Sequence, residues 1–264
     1  MIDGVQLQIV AMLVVAAFAA GWIDSVVGGG GIIQLPSLMI GLPQDTPIAT
    51  VSGTNKVSSF AGTLAASATY VKRLGVDWRV ALPLVVASYA GSSVGAGLVQ
   101  YVPRQWFNPV LLVAVVAIGW YTYTKPDLGQ THAPKHTGMA QAARAVPIGL
   151  GVGLWDGVVG PGTGTIFVIC LVALLGFAFL HATVLAKLAN LTTNLAAIIV
   201  LGFSGHILWG VGLMMAAANM TGGLIGSRMA ISKGNGFIRK VFLVAAVVLG
   251  TRIAYDTVVG LLPT

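Results

Sequence analysis

Charge is what this sequence has least of. Of 264 residues only 8% are Asp, Glu, Lys or Arg, whereas 56% are hydrophobic and the mean hydropathy is +0.91. Soluble domains carry about 25% charged residues, so this chain lacks the means to cover a water-facing surface and an ordinary soluble fold is excluded. Cysteine is nearly absent. Cys170 is the single one, which excludes an intrachain disulfide, and no Cys/His set has metal-ligand spacing. Cys170 itself reads as a small core residue in the apolar run 165–179. No HExxH motif is present, and sets of Lys, Asp and Asn alone specify no reaction, so an enzyme reading has no support and no cofactor or metal is expected. The net charge of +7 comes from scattered rather than clustered basic residues. That argues against nucleic acid as a partner and for orientation of membrane spans by the positive-inside rule.

What is present is apolar sequence, enough for about eight to ten spans of roughly 20 residues, and this leaves little room for a soluble domain. The run from Leu7 to Ala20 ends in Ala-Gly like a signal peptide. However, the stretch before it carries Asp3 and no Lys or Arg, and the segment recurs later in the chain, so it is expected to belong to the folded protein.

The recurrence is an internal duplication. The stretch Gly21-Trp22-Ile23-Asp24-Ser25-Val26-Val27-Gly28 aligns with Gly153-Leu154-Trp155-Asp156-Gly157-Val158-Val159-Gly160 at an offset of 132. At an offset of 131, Lys56 then meets Lys187, Trp78 meets Trp209, Gly91 meets Gly222 and Gly95 meets Gly226. Glycines could coincide by chance in a chain with 35 of them; paired aspartates, lysines and tryptophans in order do not. Such repeats are typical of secondary transporters. The pattern predicts an all-α polytopic membrane protein with a first repeat over 1–123, a polar cytoplasmic connector over 124–144 and a second repeat over 145–264. Each repeat has five apolar segments, 7–27, 31–40, 47–71, 80–101 and 106–123, then 145–159, 165–180, 182–203, 209–230 and 238–262.

Loop charges predict how the repeats are related. Lys72, Arg73 and Arg79 flank the loop after the third segment of the first half, whose counterpart at 204–208 has no Lys or Arg. After the fourth segment the bias reverses, with Arg228, Lys233, Arg239 and Lys240 against Arg104 alone. Opposite bias in homologous loops points to opposite sides of the membrane, hence a five-plus-five inverted repeat with both termini extracytoplasmic. The short segment 31–40 leaves open a four-plus-four arrangement with re-entrant hairpins.

Two features inside the apolar stretches carry the functional reading. Gly28-Gly29-Gly30-Gly31 and Gly160-Pro161-Gly162-Thr163-Gly164 would break helices at membrane depth, where unwound backbone is tolerated only if protein covers it or it lines a cavity. The helix that follows each break presents free N–H groups and a positive dipole end to anything in that cavity. Close packing through small residues is the competing explanation, and it suits Gly91/Gly95 and Gly222/Gly226 better. The second feature is the matched set Asp24, Lys56, Asp156 and Lys187, each costing about 2.5–3.5 kcal/mol at a helix centre unless it meets a partner or a cavity. They are either two structural ion pairs or an anion site, with the lysines attracting substrate and the aspartates as counter-ions or proton carriers. Polar neighbours at helical reach, Thr54, Asn55 and Ser59 beside Lys56 and Asn190 and Asn194 beside Lys187, supply further donors. His181 and His206 sit near segment ends and read as interfacial.

These motifs carry a family resemblance. Asp24 to Gly31, Gly53-Thr54-Asn55-Lys56 and Asp156 to Gly164 resemble the TauE/SafE sulfite exporter family, over essentially the whole chain. The resemblance implies a bacterial-type plasma-membrane permease for sulfite, organosulfonates or related sulfur oxyanions. The partners expected are then a small anionic substrate and the lipid bilayer. A coupling proton or sodium ion and assembly with a second copy stay open. So do an anion channel and a carrier whose primary site is Asp24 and Asp156.

Overall fold

The structure is a computed structural model that describes residues 1–102, 120, 124, 129, 131–136 and 138–261, with 242, 245, 246, 248–250 and 252–261 described by backbone alone. Among the described residues the regular structure is helical throughout. The expected segment 106–123 lies outside them except for Trp120, as do Arg104 and Lys125.

Among the described residues eight α-helices follow the apolar runs: α1 Leu7–Val27, α2 Gly31–Gly41, α3 Ile48–Leu74, α4 Trp78–Leu98, α5 Gly138–Val158, α6 Thr163–Leu175, α7 Phe179–Phe203 and α8 Trp209–Leu261. A 3-10 turn at Val99–Tyr101 extends α4. Among the described residues three stretches are long and apolar enough to cross a membrane by themselves: Leu7–Val27, Trp78–Tyr101 and Phe179–Phe203. The helix α3 has the length, at 27 residues, but not the apolarity. Its polar groups, among them Ser52, Asn55, Lys56, Ser58, Thr63 and Ser67, are turned inward and buried. Local signals set several ends. Asp77 caps α4 by accepting the Arg79 backbone N–H at 3.0 Å, the N-terminal device that short polar side chains provide. α6 stops at Gly176, whose N–H returns to the carbonyls of Leu171 and Val172.

Two boundaries differ from the expectation. Residues 138–144, read as the end of a polar connector, form the first turns of α5. A connector does not have to be unwound where the apolar face of the next helix begins, and Gln141 and Ala145 are already buried there. The expected loop between 230 and 238 is instead a single-residue break in α8 at Gly234. The remaining described connector is strapped down, with Ala133 donating to Gly176 O and Lys135 to Leu175 O, both at 3.0 Å.

Packing is organised by exchange between the chain's halves. α1 lies along α8, and α5 lies along α4. The contacts are made at aligned positions: Gly222 and Gly226 press on the backbone of Phe18 and Trp22, and Gly91 and Gly95 on that of Leu150 and Leu154. Gly21 likewise meets Asn219, and Gly153 meets Ser88. Small residues let helix backbones approach where lipid supplies no hydrophobic drive. α3 and α7 cross between these pairs and contact each other.

Two apolar clusters mark the ends of the bundle. Val5, Leu42 and Val211 belong to one; Val80, Ala145, Phe177, Ala230 and Ile238 belong to the other. The second end collects Lys72, Arg73, Arg79, Lys135, Arg144, Arg228, Lys233, Arg239 and Lys240, by their positions in or beside the segments that make that cluster. Near the first end the described chain has Asp3 and Asp45.

Because the Gly222 approach is to backbone, a larger side chain there has no room to yield. Gly222→Leu is expected to destabilise the protein by roughly 1–3 kcal/mol or more, read as a lower midpoint in a thermal melt in detergent. Gly97→Ala, a position with nothing within 4 Å, should instead gain about 0.5–1 kcal/mol from helix propensity.

Candidate functional site

Both helix breaks form, and they lie against each other. α1 ends at Gly28 with φ 86°, its N–H bonded to Asp24 O at 2.7 Å, and α2 begins three residues later. The second break runs through Gly160 and Pro161 to Gly162 with φ 78°, after which α6 begins. Thr163 Oγ1 donates to Gly160 O at 2.6 Å and Trp155 Nε1 to Pro161 O at 3.3 Å, which hold this turn. Across the crossing point Thr165 gives its backbone N–H to Gly28 O at 3.3 Å and its hydroxyl to Val27 O at 2.7 Å. Gly28 therefore meets two demands. Its backbone is in the left-handed region, and a Cβ would overlap the backbone of Gly164.

The four matched charges form two ion pairs, each between the halves. Lys56 of α3 places Nζ 2.6 Å from Asp156 Oδ2 and 2.9 Å from Asp156 O on α5. Lys187 of α7 places Nζ 2.7 Å from Asp24 Oδ2 on α1 and also bonds Asp24 O. Both lysines are almost fully buried, at 2% and 1% exposure. Each ammonium sits at the last turn of a helix, whose negative dipole end favours a cation. The helix N-termini after the breaks face the other way, into a cavity.

That cavity has a volume of about 20 Å³. It is enclosed by both breaks (Gly28, Gly31, Gly160, Gly162, Thr163 and Gly164), both aspartates, Lys56, and the α3 and α7 side chains Asn55, Ser59, Asn190 and Asn194. Twelve of the residues expected at a site thus come together here. Ser59 joins them. It was only a neighbour of the motif in the sequence, although its place three residues after Lys56 is the signal that marks it. Four expected residues lie elsewhere. Lys187 stands beside Asp24. Gly30 packs on Ala20 and Asp24, and Gly29 faces Ile23 and Ile32. Thr54 is structural: its hydroxyl donates to Thr50 O at 2.8 Å and accepts the Leu208 N–H at 3.0 Å, which ties α3 to the start of α8.

A buried amide relay behind the cavity escaped the sequence reading. Asn219 of α8 donates to Gln34 Oε1 at 2.7 Å, and Gln34 Nε2 of α2 donates to Asn55 O at 3.4 Å. Gln34 is fully buried, and a lone amide in the apolar stretch 31–41 was the signal available. Of the two histidines read as interfacial, His181 stacks on His132 of the connector at 4.2 Å between ring centroids, and the backbone of His206 abuts Gly53.

A helical bundle with apolar crossing helices, helices broken against each other and buried charges around a small polar cavity is the architecture of a membrane transporter. The comparisons give the same class. A protein from Sinorhizobium sp. named "Probable membrane transporter protein ORF9" is 37% identical over 251 residues, 94% of each chain. One with the name "Probable membrane transporter protein" from Haemophilus influenzae is 32% identical, over 96% of this chain and 97% of its own. "Probable membrane transporter protein YfcA" from Escherichia coli K12 is 31% identical, over 94% and 91%. The family model described as Sulfite exporter TauE/SafE matches residues 13–253, and the chain belongs to that family. It is a membrane transporter and not an enzyme. No solved structure matches the chain.

Breaking one buried pair strands a charge, at roughly 3–5 kcal/mol. Lys56→Met should therefore destabilise by about that amount, and Lys56→Met with Asp156→Asn should recover most of it. Lys56→Met with Asp24→Asn should be worse than either single change, because those residues belong to different pairs. Detergent melts of the single and double variants check the assignment.

Proposed function

We propose that the cavity between the two breaks is the substrate site of a secondary transporter for a small sulfur-containing anion, sulfite or an organosulfonate. The observation that carries this reading is the convergence of the α2 and α6 N-termini on one polar cavity that also holds Lys56. Helix N-termini bring unpaired N–H groups and a positive dipole end to such a point. Asn55, Ser59, Asn190 and Asn194 add neutral donors around it, and Thr163 lines it with its hydroxyl given to Gly160 O. Lys56 and Lys187 are the charge that draws the anion. Asp24 and Asp156 are their resting counter-ions, and each must share or give up its lysine when substrate binds. Gly28, Gly29, Gly30, Gly31, Gly160, Gly162 and Gly164 let backbone come near the substrate or let the breaks pack closely enough to shape the site. Thr54 acts only through the position of α3.

A cavity of 20 Å³ has room for about one water and not for an oxyanion. On this reading substrate enters only when the breaks separate. A secondary carrier with alternating closure fits this better than a standing pore.

The same proposal includes inversion of the two halves across the plasma membrane. It is supported by the positions of the loops that align in sequence. The residues at 75–80 belong to the basic end of the bundle and those at 204–211 to the other. The turn before α3 lies with Val5 and Leu42, whereas the turn before α7 lies with Phe177 and Ala145. With the basic end cytoplasmic by the positive-inside rule, the N-terminus is extracytoplasmic. The aligned positions around the bundle are then related by a two-fold axis in the membrane plane, the arrangement in which substrate sites lie at the interface between repeats.

Orientation is read by labelling single cysteines in a Cys170→Ala background. Gly236→Cys should react from the cytoplasmic side and Asp45→Cys from outside; the same side for both would refute the inversion. Substrate class is read by uptake into proteoliposomes, with sulfite, sulfate, thiosulfate, sulfoacetate, taurine and carboxylates in competition. Saturable uptake of a sulfur oxyanion, lost in Lys56→Met/Asp156→Asn although that variant is folded, is the expected result. Normal uptake by the folded double variant would remove Lys56 from the site.

A further inference from the structure

The two crossing helices are alike around the cavity and unlike beyond it. On α3 the residues Ser59, Thr63, Ser67 and Tyr70 lie on one face, spaced four, four and three apart. They lead from the cavity toward the exposed basic end at Lys72 and Arg73. The aligned positions on α7 are Asn190, Asn194, Ile198 and Leu201. There the polar line stops after the two asparagines that line the cavity. Leu201 and Ile198 enter an apolar cluster with Val57, Ala96, Val99 and Ile207, which seals that side.

Two hydroxyls on this face of α3 are not spoken for. Thr63 and Ser67 are 1% and 3% exposed, and neither Oγ1 of Thr63 nor Oγ of Ser67 has a hydrogen-bond partner. Buried hydroxyls almost always have one, protein or water. Two in succession on one helix face, continuing a line that starts in a cavity, indicate where water or a polar solute passes when the protein opens. From Ser59 to Tyr70 the helix rises about 16 Å, roughly half the hydrocarbon thickness. The line ends at Tyr70, which is fully buried and donates its hydroxyl to Ser25 O at 2.8 Å. Ser25 follows Asp24, the residue that Lys187 holds, in the last turn before the break at Gly28. The aligned partners are Gly157 and Leu201, between which no such bond can form.

We propose that Ser59, Thr63 and Ser67 mark the permeation path from the cavity to the basic face, and that Tyr70 is its gate, latched on the broken end of α1. Opening that moves the end of α1 releases the Tyr70 hydroxyl and loosens the grip of Lys187 on Asp24 together, so the gate answers to the state of the site. This rests on the reading of the cavity as a transport site, but it assigns the side and the residue that close it.

The test measures water access and needs no knowledge of the cargo. In Cys170→Ala protein, Ser67→Cys and Ile198→Cys are compared for reaction with a small anionic thiosulfonate reagent, in inside-out and right-side-out vesicles. Tyr70→Phe, which removes only the latching hydroxyl, is added to each. Ser67→Cys should react from the face that labels Gly236→Cys, and Tyr70→Phe should speed it roughly five- to tenfold, the population change that one buried hydrogen bond is worth. Ile198→Cys should stay slow from both faces. Thr63→Cys serves as a second reporter if Ser67→Cys does not fold. Equal slowness of the α3 and α7 cysteines with and without Tyr70→Phe, or labelling of the α3 cysteine from the other face, would overturn the proposal. An uptake panel without a sulfur anion substrate, alongside the expected labelling, would fault the cargo and leave the gate standing.

Discussion

Two fully buried lysines have to be neutralised by two aspartates, one buried and one largely so, and the way this is done organises the molecule. Neither half carries a close partner for its own lysine. Lys56 and Lys187 come from the third helix of each half, and their acids Asp156 and Asp24 come from the first helix of the other. Neither half can bury its charges alone. A buried ion pair contributes little stability over a well-packed apolar pair, but leaving one charge unmatched is severe. The pairs therefore work as a specification of register more than as a source of stability. Only one docking of the two halves satisfies both, and the glycine contacts along α1–α8 and α4–α5 accept the same docking.

The breaks follow from the same constraint. Each lysine reaches a carboxylate and a main-chain carbonyl in the last turn of α1 or α5, where a helix leaves acceptors without intrahelical donors. The Asp24 and Asp156 carbonyls are thus each met by an ammonium group from the other half. The N-terminal ends that begin α2 and α6 point into the cavity and carry no buried carboxylate of their own helix. The two helix ends at each break are thus treated differently, with an ammonium at the negative end and no carboxylate of its own helix at the positive one.

Within this frame the halves have diverged where a transporter needs them to differ. Ser67 and Tyr70 on α3 stand against Ile198 and Leu201 on α7, and the amides of Gln34 and Asn219 stand against Thr165 and Ser88. Duplication supplies the matched charges and breaks. Replacement of a few side chains on the crossing helices makes one side polar and latched and the other apolar.

Much of this was legible in residue order alone. Apolar runs placed α1 to within a residue at each end, since a membrane helix is defined by length and apolarity. Glycine blocks located both breaks, because φ > 0 and missing side chains leave a compositional trace. The extra turns of α5 and the single-residue break at Gly234 were missed, because polar residues at a membrane surface read as loop whether helical or not. Matched Asp and Lys positions showed that charges are buried in two equivalent places. What residue order could not decide is which acid meets which base. Asp24 lies 32 residues from Lys56 and 163 from Lys187, and a pattern repeated twice is equally consistent with pairing inside a half or between halves. Ionic contact depends on distance in space, and that is set only when α1 packs on α8 and α3 crosses α7. The orphaned hydroxyls of Thr63 and Ser67 became visible for the same reason: a missing partner is a property of the packed interior, never of the chain.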